Sequence, residues 1–564
     1  MKPRSLPSWR HERRSRSAGR RPEVLFWTAI GVLTLISLTV SSNDSSFHDF
    51  LGGRFPVADG FDWLKASLDA ASGYLTDYGV RRPWNLPFNA SSLWLGQRIG
   101  PDPLVSALTV KRLLAWASIA TLLTALRPRL SLVSTAGLGV LLFSTLPRWG
   151  ESPLHELIGQ GLGYTHGSEL NAFIFVNVAL AWFVLGVNAL DAGRFRRSAL
   201  QNTAGFAFLC LALQERPGTL GLLPALTVLV AVAAASGGFQ GKRSPWRWRR
   251  AVSIVILAVL GWMLISGGQL ALERSLAKSA CGSIGANSGG SLMGMSTGQT
   301  WREGMQETKE IGLTGCGKAL SRKQTDIAIE RIRTNPLPFL NLLGRNTIKL
   351  LQVPSLELGL VALGGLVCLA ARRVWRHRRD GTEDPPGNHL ITGLAACGSL
   401  SVIAFQIIFF GEAGLRPSVP YSAFPFLLLM LAAEQGYRVI FHSPSATIIP
   451  SGHRNHLTPL MSMLLVSYIG IGVLLIQRQA LRSAGYHYVT GSIHVSQEWL
   501  ETWMAYRAIS PSMGTMYDVK ISPKIASMAA FSRREDTPLC LTYRRRGLPW
   551  GMPYGKLQIS PGGC

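Results

Sequence analysis

No phosphate-cradling glycine loop, dinucleotide fingerprint, nucleophile elbow or H-E-x-x-H pair occurs in these 564 residues. ATP-driven transport and the familiar soluble-enzyme chemistries therefore lack the groups they depend on. Acidic residues are scarce, with 31 Asp and Glu against 57 Lys and Arg, a formal net charge of +26. Such a balance would suit nucleic acid, but the basic residues fall in short blocks between hydrophobic runs, where they act as topological anchors. The seven cysteines match no metal-ligand spacing. Internal repeats and low-complexity tracts are absent as well.

What the chain has in abundance is apolar sequence: 47% of its residues are hydrophobic, in runs that recur along nearly its whole length. A bilayer core of ~30 Å requires about 20 apolar residues in a helix, and helices satisfy their own backbone hydrogen bonds where water is absent. The expected fold is an all-α polytopic membrane protein with about eleven transmembrane helices. They are placed near 24–42, 106–126, 132–147, 169–190, 198–214, 218–237, 251–267, 354–371, 389–410, 419–436 and 459–477.

Basic residues sort to one side of this arrangement. Alternate connections carry Arg127 and Arg129, Arg194 to Arg197, Lys242 to Arg250, and Arg372 to Arg379, whereas the short connections between them offer only Arg148, Arg216 and Arg416. By the positive-inside rule the N-terminus is cytoplasmic, and an odd number of spans places the C-terminus outside. The first span ends in TVSSNDSS with no small-residue cleavage site, so it reads as a retained anchor in a plasma membrane. Cys281, Cys316, Cys540 and Cys564 then fall outside, where two disulfides can form, and Cys210, Cys368 and Cys397 fall within spans.

Three parts follow: a basic cytoplasmic tail over 1–23, a transmembrane domain over 24–477 with outer loops at 43–105 and 268–353, and an extracytoplasmic C-terminal region over 478–564. In the first outer loop, Phe61, Leu64, Leu68 and Ala71 have the spacing of an amphipathic helix lying on the membrane surface. In the second, the run GSIGANSGGSLMGMSTG predicts a mobile or tightly turned loop, followed by a helix near 324–333. The C-terminal region lacks a long apolar run and reads as a loop-rich appendage.

The residues with chemical potential gather at the outer boundary. Asp59 and Asp62 lie in VADGFDW ahead of the amphipathic stretch, where Asp59 also suits a helix N-cap. Glu169 opens the fourth span in HGSELNAF, and an ionisable residue at a membrane boundary is a functional candidate. Arg81, Arg82, Lys111, Arg112, Arg216 and Arg416 form a scattered cationic set, suited to a lipid phosphate or to snorkelling toward headgroups. Arg216 and Arg416 run against the positive-inside trend.

Four passages, taken in order, resemble the GT-C membrane glycosyltransferases of the protein O-mannosyltransferase and aminoarabinose transferase type. They are DGFDWLKASLDAASGYL with RRPWNLPFNASSLWLG, then HGSELNAFIFVNVALAWFVLG, LALQERPGTLGLLPALTVL and GEAGLRPSVPYSAFPFLLLML. The likeness covers roughly residues 24–436. It implies a sugar taken from a polyprenyl-phosphate-linked donor and passed, with inversion, to an acceptor lipid, glycan or protein at the extracytoplasmic face, without nucleic acid. It also implies a catalytic Asp in the first outer loop, matching Asp59 or Asp62, and roles for Ser168 with Glu169, Arg216 with Pro217, and Arg416. The adjacent Asp-Glu pair that many members carry is Asp59-Gly60 here, which bears on both the base and a possible divalent cation. Competing readings are an envelope polysaccharide polymerase or ligase, a membrane transporter, and a non-catalytic assembly factor.

Overall fold

The computed structural model describes residues 84–99, 103–146, 168–216, 221–236, 247–276, 288–313, 317–351, 387–413, 419–441 and 455–477, three strands beyond residue 489, and six positions between 24 and 32. The expected spans at 24–42, but for those positions, and at 354–371 lie outside these residues.

The helices in the apolar runs are α2 (Pro103–Leu126), α3 (Leu132–Ser144), α4 (Ser168–Asp191), α5 (Phe195–Glu215), α6 (Leu222–Ser236), α7 (Arg247–Leu276), α12 (Gly387–Ala413), α13 (Ala423–Phe441) and α14 (Leu457–Gln477). Each lies within a few residues of an expected span. Among the described residues, five are long and apolar enough to cross a bilayer, Thr109–Leu126, Ser168–Leu190, Trp248–Leu272, Leu390–Ile408 and Leu457–Gln477, with shorter apolar helices beside them. The chain is a helical membrane protein.

Burial ranks these helices. Of the Ser168–Leu190 stretch, 89% is buried against 22% of Trp248–Leu272, so α4 is the core helix and α7 faces lipid. On α7 the exposed residues Val252, Val255, Ile256, Val259 and Met263 form one helical stripe. Around α4 the core is stapled by edge-on aromatic pairs, Phe88 with Phe175 at 5.6 Å, Phe88 with Tyr468 at 5.1 Å and Phe183 with Phe206 at 5.0 Å between ring centroids.

The outer loop expected over 43–105 is not a loop throughout. Residues Asn85–Ile99 form a helix, α1, and its first turns are wholly buried at Asn85, Leu86, Phe88, Asn89 and Leu93. NLPFNASS has the polar composition of a loop, but its Asn and Ser side chains bond within the protein core. Ser91 Oγ donates to the Tyr468 carbonyl at 2.5 Å and Tyr468 donates its hydroxyl proton to Ser92 Oγ at 2.8 Å, so α1 is tied to α14. Gly472 makes this approach possible, since a Cβ there would collide with the Pro87 carbonyl.

At the other end of α4, Arg129 donates to Asn188 Oδ1 at 2.7 Å. Nearby, the buried Glu434 carboxylate on α13 accepts from the Ser131 backbone N–H at 3.2 Å and from the Ser131 and Ser134 hydroxyls. A carboxylate at the first turn of α3 also meets the positive end of that helix.

The second region expected outside, over 268–353, contains helices α8 (Ser288–Ser296), α9 (Trp301–Glu310), α10 (Gly317–Thr334) and α11 (Leu337–Leu351). Residues Ser288–Ser296 of the glycine-rich run are thus a helix where a mobile or turned loop was expected, and residues 282–287 of that run lie outside the described residues. Gly294 and Gly304 let α8 and α9 touch backbone to backbone, a spacing that any side chain would block. Gln324 on α10 donates to Thr308 Oγ1 at 2.9 Å and Arg331 pairs with Glu307 at 2.6 Å, fastening α10 to α9. Glu303 accepts from the Thr300 N–H at 2.7 Å and from its hydroxyl at 3.0 Å, and these bonds hold its carboxyl below the usual range.

In the C-terminal region β1 (Thr490–Val495), β2 (Leu539–Arg544) and β3 (Lys556–Pro561) form an antiparallel sheet in the order β1-β2-β3, with Ile493 opposite Leu541 and Leu541 opposite Ile559. The all-helical expectation therefore holds for the membrane part, and the small appendage carries strands.

Gly472→Ala is expected to destabilise the detergent-solubilised protein by about 1–3 kcal/mol through overpacking against α1. Gly470→Ala, where the added Cβ meets nothing within 4 Å, is expected to leave thermal unfolding unchanged or slightly raised. Equal behaviour of the two variants would contradict the α1–α14 packing.

Candidate functional site

Glu169 stands in the first turn of α4, and Arg216 is the residue that ends α5. The two elements run side by side, and their ends bring the guanidinium onto the carboxylate as an ion pair. The Glu169 side chain is 1% exposed and that of Arg216 is 17% exposed, so the carboxylate is enclosed while the guanidinium keeps an opening. Ser168 Oγ donates to Glu169 Oε2 at 3.3 Å. Tyr421, in the short 3-10 turn Val419–Tyr421 before α13, donates its hydroxyl proton to the Arg216 carbonyl at 2.6 Å. That bond closes one of the carbonyls left over at the end of α5 and holds the Arg216 backbone in place.

A second charged group lies beside this pair. Lys111 is fully buried and donates to Asn89 Oδ1 at 2.6 Å. Asn89 donates to Asn85 Oδ1, which also accepts from Asn171 Nδ2 at 3.2 Å. Glu215, buried next to Arg216, supplies the opposing charge to Lys111. Hydrogen bonds therefore tie Lys111 on α2 to α1 and α4, and the Glu169–Arg216 ion pair ties α4 to α5. Burying these charges is tolerable because Glu169 and Arg216 face each other and Lys111 has the Asn89 hydrogen bond and the opposing charge of Glu215.

The structure thus brings together Glu169, Arg216 and Lys111 out of the expected set. Arg112 is also buried, but it lies about 100° further round α2 than Lys111. Asp59, Asp62, Arg81, Arg82 and Arg416 lie outside the described residues. Lys111, expected with the other basic residues to suit a lipid phosphate or to snorkel toward headgroups, is wholly buried in the bundle.

Sequence reasoning missed Asn85, Asn89, Asn171, Glu215 and Tyr421. A signal existed for three of them. Asn171 interrupts an apolar run, Asn85 and Asn89 share a helix face at a spacing of four, and such polar residues within spans mark inward-facing positions. Glu215 was passed over beside Arg216. Tyr421 had no signal, because only the fold carries it to α5.

For a divalent cation, no group of three or more His, Cys, Asp or Glu gathers among the described residues. The buried carboxylates Glu169 and Glu215 each face a cation, a donor set that does not fit a metal.

No protein-family profile matches the sequence, and no curated protein matches it. Among solved structures, the archaeal oligosaccharyltransferase AglB from Archaeoglobus fulgidus, in complex with an inhibitory peptide and a dolichol-phosphate, superposes with a TM-score of 0.41 at 12% identity, over 89% of this chain and 60% of that one. The oligosaccharyltransferase of the same organism in its apo form gives 0.42 at 12% identity, over 88% and 60%. Its complex with Zn and sulfate gives 0.37 at 12% identity, over 88% and 57%. This chain spans about 60% of the length of those proteins. At such scores the overlap is loose, and the functional reading rests on residues of this chain.

Arg216→Ala would leave the enclosed Glu169 carboxylate without this counter-charge, and breaking a buried pair in that way destabilises by about 3–5 kcal/mol. The double variant Glu169→Gln with Arg216→Gln is expected to recover part of the loss. Thermal unfolding of the two purified variants checks this, and an Arg216→Ala protein as stable as the parent would contradict the pairing.

Proposed function

We propose that the chain is a membrane glycosyltransferase that takes a sugar from a polyprenyl-phosphate-linked donor and transfers it to an acceptor at the extracytoplasmic face of a plasma membrane. The observation that carries this reading is the enclosed Glu169–Arg216 pair beside the Lys111–Glu215 pair. A charged cluster of this kind among apolar helices suits a substrate with a greasy tail and an anionic headgroup. The residue order resembling the GT-C enzymes supports it as well. Orientation rests on the one-sided distribution of Arg and Lys, which puts the start of α4 and the end of α5 outside.

In the proposed reaction the acceptor hydroxyl oxygen attacks the anomeric carbon as the bond from that carbon to the phosphate oxygen breaks. The phosphate departs with the bonding electrons, and the acceptor proton passes to a carboxylate, Asp59 first and Asp62 second. Arg216 is held by Glu169 and Tyr421 in a fixed pose, so its charge needs no reorganisation as negative charge develops on the leaving phosphate. Lys111 adds positive charge deeper among the same helices. In the low-dielectric bundle these interactions are stronger than they would be in water. Glu169 acts here by positioning the guanidinium rather than by accepting the acceptor proton.

The test supplies the purified full-length protein with radiolabelled polyprenyl-phosphate sugars and measures release of free polyprenyl phosphate. Asp59→Asn is expected to slow release by about 10²–10⁴, the usual contribution of a general base. Arg216→Lys keeps the charge but loses the planar fork, and is expected to slow release while retaining the folded state. Equal release by parent and Asp59→Asn would remove this mechanism, and absence of release from any donor would remove the function.

A further inference from the structure

Helix α11 carries a face that nothing else in the described structure uses. Leu337 is 61% exposed, Leu340 55% and Ile348 60%, and at 100° per residue they fall on one stripe with Gly344 and Asn341. Arg345 and Lys349 flank that stripe along one edge, and both are exposed. The opposite face is seated: Asn346 and Leu350 are buried, and Asn346 Nδ2 donates to the Ile407 carbonyl at 3.1 Å and the Ile408 carbonyl at 3.4 Å on α12.

Those contacts set the position of the helix. Ile407 and Ile408 lie near the end of the apolar run of α12, a few residues before Gly411 and Glu412, so α11 is seated at the end of that span. Ile408 is 37% exposed and Leu400 is 54% exposed, so the span that seats α11 has open apolar surface of its own. Toward the outer helices, Arg345 donates to the Gly298 carbonyl at 2.9 Å, just beyond α8.

We propose that α11 lies in the membrane interface, its Leu337–Leu340–Ile348 stripe sunk into the headgroup and acyl boundary and its Arg345–Lys349 edge against anionic lipid headgroups. An amphipathic helix with a narrow apolar face and basic flanks has the chemistry for that position. By holding Gly298 through Arg345, the helix also sets the height of α8, α9 and α10 above the bilayer. The occupant of the face is lipid rather than protein because the helix is seated on the end of an apolar span that has open apolar surface of its own, and because its charged edge is basic. This inference does not depend on the proposed reaction.

The test places a nitroxide spin label at Leu340→Cys and, separately, Ile348→Cys in the full-length protein with its native cysteines replaced. The samples are vesicles of phosphatidylcholine with phosphatidylglycerol. Labels at Leu464 on α14, 47% exposed, and Ile329 on α10, 38% exposed, give the acyl and aqueous references. Both α11 labels are expected to collide more often with oxygen than with a water-soluble nickel chelate, at depths between the two references. In phosphatidylcholine alone they are expected to move toward the aqueous reference. Labels as chelate-accessible as Ile329 would overturn the proposal, and so would labels shielded from both reagents, the sign of a covering segment or a second copy. Depth unchanged by removing the anionic lipid would overturn the headgroup assignment.

Discussion

Charge buried in an apolar bundle is the constraint around which this structure is arranged. An ion that leaves water for a low-dielectric interior is tolerated only beside an opposite charge or enough hydrogen bonds. Glu169 and Arg216 meet that condition across the ends of α4 and α5, and Lys111 meets it through Asn89 and the opposing charge of Glu215. The asparagine chain Asn89–Asn85–Asn171 carries the Lys111 contact across α1 to α4. Moving any of α1, α2, α4 or α5 by a turn would strand a charge, so these contacts fix the relative register of these helices as well as the chemistry they present.

The far end of the core helix has its own polar tie, with Arg129 on Asn188 and the Glu434 carboxylate gathering Ser131 and Ser134. Between the two ends lie the aromatic pairs and the glycine contacts, which are matters of shape. Gly472 admits α1 against α14, and Gly205 lies against the Phe183 ring. Polar ties at both ends with close packing between them make α4 a rigid post. The Arg216 guanidinium, at the end of α5 and paired with Glu169 in the first turn of α4, is thereby held in one pose, as the proposed reaction requires of it.

Outside the bundle the same economy holds. Helices α8 and α9 meet through glycine backbone, α10 is fastened by Gln324 and Arg331, and α11 joins this unit to α12 through Asn346 and Arg345. A glycine-rich segment can be a loop or a tightly packed helix, and composition does not distinguish them. The partner surface does, since Gly294 needs α9 beside it before a glycine helix is worth its entropy.

The amino-acid sequence by itself determined where the apolar helices run, because the length of a bilayer crossing and the need to satisfy backbone hydrogen bonds act locally on each segment. It also marked Glu169, Arg216 and Lys111 as out of place in their surroundings, for a charge beside an apolar run is visible without coordinates. Tertiary structure alone decided that Glu169 pairs with Arg216, that Lys111 faces Glu215, that NLPFNASS is a core helix, and that Tyr421 closes the end of α5. Each of these depends on which helices are neighbours, a long-range packing outcome that neither hydrophobic period nor local composition encodes.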